Sequence, residues 1–79
     1  MAKIIVEPMQ FDYAKLKGRT AERGVTDRDV ATAAHMNPST YSQKMNGKGL
    51  FTQGQICDIC SFLGIEPVDI PAYFFTLVV

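Results

Sequence analysis

No stretch of this 79-residue chain approaches the roughly 18 consecutive apolar residues that a membrane span requires, so no membrane partner is expected. An excess of charge is missing too. Eight basic and eight acidic residues cancel, whereas most nucleic-acid-binding domains carry a basic surplus to meet phosphate. Catalytic material is thin: one histidine without a nearby nucleophile, no carboxylate pair in an apolar frame and no glycine-rich phosphate loop. The chain is therefore expected not to be an enzyme. Cys57 and Cys60 form a C-x-x-C, but zinc would need two more ligands and His35 is the only other soft candidate, so neither metal nor cofactor is expected. A redox dithiol would open a helix after a strand; these two lie inside a helical pattern and read as buried, reduced thiols. There is no internal repeat and no low-complexity linker, and residues 1–79 read as a single domain with one small core. The run Ile4, Ile5, Val6 behind Lys3 is too short for a secretory signal and is broken by Glu7 and Pro8, which leaves the cytoplasm as the expected location.

What the chain does have is a repeated grammar of helix starts. Thr26 can cap a helix opening at Asp27, with Asp29 as the acidic member of a capping box and Val25 stapling onto Val30. Asp12 caps a helix stapled by Phe11 and Leu16. Asn37 caps one with Pro38 in its first position, stapled by Met36 and Tyr41. Thr52 caps a fourth, with Gln55 as box partner and Phe51 stapling Ile56. The same apolar spacing around four caps sets out the helical organisation.

Between these marks the periodicity predicts a first helix over residues 13–23, with Tyr13, Leu16, Thr20 and Ala21 inward and Gly24 as its left-handed cap. Gly18 within it costs about 1 kcal/mol relative to alanine, which a close helix contact would justify. Residues 27–34 form the second helix, presenting Val30, Ala31 and Ala34. Residues 38–46 form the third, anchored by Tyr41 and Met45. The fourth, residues 53–63, places Ile56, Ile59, Cys60 and Leu63 on one face and ends at Gly64. A further turn over 67–70 is expected to stop at Pro71. Residues 3–6 and 74–79, dense in β-branched and aromatic types, read as the two strands of a small antiparallel ribbon. The expected fold is mostly α, four to five short helices around one core with a central helix-turn-helix.

The stretch Thr26-Asp-x-Asp-Val-Ala…Met36-Asn-x-x-Thr40-Tyr-Ser…Gly47 resembles the Cro and repressor helix-turn-helix class of temperate phages and bacterial regulators. With Phe11-Asp-Tyr-x-Lys-Leu-Lys-Gly and Ile70-Pro-x-Tyr-Phe-Phe, nearly the whole chain is similar to small Cro-like proteins of siphophages. The resemblance implies a lambda-repressor-like DNA-binding fold whose third helix enters the major groove, in the host cytoplasm if the chain is phage-encoded. It places Ser39 and Gln43, with Thr40 beside them, at base-reading positions, where Gln suits adenine and Ser or Thr several base edges. Thr26, Arg28, Asn37, Lys44 and Lys48 become candidates for the phosphate backbone. Three departures stand out. His35 takes the turn position usually given to glycine and is expected at positive φ. Asp27 replaces a glutamine that reaches DNA in relatives, favouring the helix dipole but repelling phosphate. Lys44 stands where many relatives bury an apolar residue, so it is expected to reach outward.

All eight basic residues fall within positions 1–50 beside five acids, a net of +3, while positions 51–79 hold three acids and no base. The tail also carries Tyr73, Phe74, Phe75, Leu77, Val78 and Val79, more apolar surface than a small core absorbs, and it is expected to pair with a second copy or another protein. A symmetric dimer would set two third helices about 34 Å apart on a near-palindromic double-stranded DNA operator. The leading expectation is thus a sequence-specific, Cro-like transcriptional regulator. The rival is a protein-binding modulator or antirepressor that keeps the fold and acts on a partner repressor through the apolar tail.

Overall fold

Thr26 and Thr52 each open a helix by the same reciprocal device. Thr26 Oγ1 accepts from the Asp29 amide at 3.2 Å while Asp29 Oδ2 accepts from the Thr26 amide at 2.9 Å; Thr52 and Gln55 repeat the pair at 3.1 and 2.9 Å. Asn37 Oδ1 accepts from the Ser39 amide at 3.0 Å, and Pro38 takes the first helical position, where an N–H would have had no helical partner. The computed structural model, which describes residues 11–77, accordingly runs α1 Ala14–Glu22, α2 Asp27–Ala33, α3 Pro38–Met45 and α4 Gln53–Leu63. A 3-10 turn, Pro67–Asp69, leads directly into α5, Ile70–Phe74.

The residues expected inward on α2, α3 and α4 are all buried: Val30, Ala31 and Ala34, then Tyr41 and Met45, then Ile56, Ile59, Cys60 and Leu63. They bring α2 against both α3 and α4, with α1 packed on α5. Phe51, in the loop before α4, joins these pieces. Its ring meets Tyr13 at 5.4 Å and Phe74 at 5.8 Å edge-on, and Tyr41 at 5.8 Å in a tilted arrangement, geometries worth about 0.5–1.5 kcal/mol per pair beyond area burial. Between α2 and α3 the chain turns on His35, whose φ of 58° is the left-handed conformation expected there. The Met36 amide then reaches back to Ala31 O at 2.8 Å, closing the turn.

Several expectations are corrected. Helix α1 starts at Ala14 with Tyr13 as its cap residue, and Asp12 supports the first turn from outside, its Oδ1 accepting from the Ala14 amide at 2.8 Å. Ala21 faces solvent. A Cβ added at Gly18 would meet nothing within 4 Å, so no helix contact accounts for that glycine. Cys57 is exposed and only Cys60 is buried, because the inner stripe of α4 passes beside position 57.

The largest difference lies in the tail. Pro71 does not stop a turn; it sits in the first turn of α5, where a missing N–H breaks no hydrogen bond. Helix α5 then carries Phe74 into the core, and burying that ring outweighs the strand preference of its neighbours. Among the described residues the tail shows one antiparallel bridge, between Phe11 and Leu77, with the Asp12 amide donating to Thr76 O at 2.6 Å. The strand expected at 3–6, and Val78 and Val79 of its partner, lie outside the described residues.

Candidate functional site

With Tyr41 and Met45 turned into the core, Ser39 and Gln43 face solvent and Thr40 is half-buried between the two sides of α3. The three base-reading candidates therefore share one surface. Their chemistry differs. Ser39 Oγ donates to Asn37 Oδ1 at 2.9 Å, the same oxygen that caps the helix through the Ser39 amide. Among the described residues the Gln43 side chain makes no hydrogen bond, while its carbonyl accepts from the Lys48 amide at 2.8 Å and folds the following loop onto the helix.

The backbone candidates divide in the same way. Thr26 and Asn37 are engaged in their caps, and Arg28 and Lys48 are exposed. Lys44 does not reach outward as expected. Its Nζ donates to Gln55 Oε1 at 2.8 Å and lies 5.9 Å from the centre of the Phe51 ring, so the long side chain covers the start of α4 and ties α3 to it. Two more cations are committed. Arg19 donates from Nε to Leu63 O and from Nη2 to Gly64 O, both at 3.0 Å, which satisfies carbonyls at the end of α4. Lys15 Nζ stands 5.1 Å from the Tyr73 ring centre. The sequence hides these roles, because each joins residues distant along the chain.

Asp27, exposed at the first position of α2, adds negative charge beside this surface. Its effect is felt at the buried Tyr41 phenol, which burial first and the Asp27 charge second keep neutral far above the usual range, against a smaller opposing pull from Thr20. The hydroxyl itself has no hydrogen-bond partner of normal geometry among the described residues.

A second surface is apolar. Leu50 is 59% exposed, Phe75 50% and Leu77 48%. Phe11, Leu50, Phe51 and Phe75 line one hollow, and a second that shares Phe75 and Ile56 with it is also lined by Gln53, Cys57 and Ile70. The Phe75 ring is held edge-on against Phe11 at 5.6 Å. The tail residues thus separate: Phe75 and Leu77 are on the surface, Tyr73 is half-buried, and Phe74, expected on a partner surface, is a core residue at 1% exposure. Leu50 was missed by sequence reasoning; its one signal is an apolar side chain between the Gly-Lys-Gly loop and the Phe51 staple with no partner in the cap pattern. Among the described residues no helix is long and apolar enough to cross a membrane, and no group of three His, Cys, Asp or Glu could hold a metal.

Among solved structures the chain is similar to the modulator of repression (MOR) of the temperate bacteriophage TP901-1 from Lactococcus lactis, determined in solution. The two are 33% identical, with a TM-score of 0.70, over 87% of this chain and 93% of that one. A comparison with curated proteins finds no match. A family model described as a protein of unknown function, DUF739, matches residues 9–77, a span that takes in all five helices and both sides of the Phe11–Leu77 bridge. The chain belongs to the DUF739 family.

Proposed function

We propose that this chain is a phage-type regulatory protein that modulates repression by docking onto a repressor protein. The observation that carries this reading is the likeness, over most of both chains, to a protein named a modulator of repression. Surface chemistry supports it. The net charge is zero, Lys44 is withdrawn from the α3 face, and Asp27 stands where a phosphate-seeking side chain would be useful. Leu50, Phe75 and Leu77 offer exposed apolar surface on which a partner protein could dock.

Operator reading in the manner of Cro is the second reading, favoured by the exposed side chains of Arg28, Gln43 and Lys48. In that case a homodimer would present two α3 helices to a double-stranded operator. The test is a titration of the purified chain against the repressor encoded in its own genome and, separately, against neighbouring DNA at several salt concentrations. Docking predicts a complex with the repressor that Phe75→Asp abolishes and Gln43→Ala leaves intact. Sequence-selective, salt-dependent DNA binding without a protein complex, with Gln43→Ala costing about 1–3 kcal/mol at one base position, would replace docking by operator reading.

A further inference from the structure

On α4, Cys57 is exposed and Cys60, three residues on, is buried. Side chains at that spacing are neighbours on a helix, with Cβ atoms about 5–6 Å apart. A disulfide needs them at about 3.5–4.5 Å, so bonding requires α4 to tighten locally toward a 3-10 turn, in which residues i and i+3 eclipse. The helix has room for this on one side: Cys57 borders the open hollow lined by Gln53, Ile56, Ile70 and Phe75.

We propose that Cys57 and Cys60 form an oxidisable pair, in which Cys57 is the site attacked by a hydroperoxide and Cys60 closes the disulfide. In the first step the Cys57 thiolate attacks one peroxide oxygen. An S–O bond forms, the O–O bond breaks, and the leaving hydroxide or alkoxide takes a proton; sulfur is oxidised and the peroxide reduced. In the second, the Cys60 sulfur attacks Cys57, an S–S bond forms, the S–O bond breaks, and the departing hydroxide leaves as water with the Cys60 proton. Accessibility fixes the order. Burial, and then the neighbouring Cys57, hold the Cys60 thiol above its usual value, which makes it a poor first nucleophile but leaves it beside the one sulfur it has to reach. Tightening α4 would shift Ile56, shared by both hollows beside Phe75, so oxidation would reshape the apolar face.

The full chain is treated with hydrogen peroxide under native conditions, unfolded, alkylated and weighed. The expected product is a monomer lighter by two hydrogen atoms that takes no alkyl group, is restored by a reductant, and melts at a different temperature from the reduced protein. Because Cys57 is exposed, Cys57→Ser tests the pair without disturbing the core; it should keep one alkylatable thiol after the same dose. Over-oxidised Cys57, or copies linked through Cys57, with Cys60 still alkylatable in the wild-type chain, would overturn the proposal. Loss of repressor docking would not, since the mass and alkylation readouts do not depend on a partner.

Discussion

On the α3 face many polar side chains are committed within the fold: Asn37 holds the Ser39 amide and hydroxyl, Thr26 and Asp29 hold each other's amides, and Lys44 is drawn back to the Gln55 side chain. Around Phe75 the reverse holds, with Leu50, Phe75 and Leu77 each about half exposed or more. The difference teaches that the α2–turn–α3 unit is first a solution to capping and packing. The residues that make its shape are those that other proteins of similar layout turn toward DNA, so shape alone does not supply the chemistry of an operator reader.

Neighbouring residues 74 and 75 give the sharpest way to break that comparison. Phe74→Ala should cost about 3–5 kcal/mol in chemical denaturation, a large part of the stability of so small a domain. Phe75→Ala should stay within about 1 kcal/mol while weakening partner binding. Equal stability losses would erase the distinction between core and face. His35 tests the other side. A β-branched residue is strained at its φ of 58°, so His35→Val should lower stability by about 1–2 kcal/mol, whereas His35→Gly should hold or raise the melting temperature. A valine variant as stable as the parent would mean that the turn tolerates another shape.

Smaller effects follow from the polar groups beneath and beside α3. Tyr41→Phe removes a buried hydroxyl that has no hydrogen-bond partner of normal geometry among the described residues, and should be neutral or stabilising by up to about 1 kcal/mol in thermal melts. A clear loss would reveal a hydrogen bond carried by ordered water. The last expectation concerns pH. The Thr26 amide, then its hydroxyl, hold the Asp29 carboxyl below its ordinary value of 3.8. A depressed folded-state pKa gives a contribution that is present above the unfolded value and fades as pH falls through the folded one. Acid titration followed by circular dichroism should therefore show the start of α2 intact near neutrality and weakening only below about pH 4, a step that Asp29→Asn removes.

Three of the four caps, Thr26, Asn37 and Thr52, and the turn were legible because their chemistry is local. A threonine and the amide three residues on meet wherever the chain becomes helical, and His35 is confined by its immediate neighbours. Lys44 was not legible, since its partner Gln55 lies eleven positions away, nor was Arg19, whose acceptors are 44 and 45 positions on. The tail failed for a related reason. Pro71 can end one turn or begin another, and the sequence around it does not reveal that Phe74 has a place prepared by Phe51. Of the candidate site, the exposed line Ser39 and Gln43 follows from helical periodicity. The hollows beside Phe75 arise only when loop, α4 and α5 are assembled.

Phe51 touches rings contributed from before α1, within α3 and within α5, although it belongs to none of these helices. A ring shared in this way denies each helix an independent way to loosen. Opening α3 exposes the same aromatic edge as opening α5, so the core amides should exchange with solvent in one cooperative event rather than helix by helix.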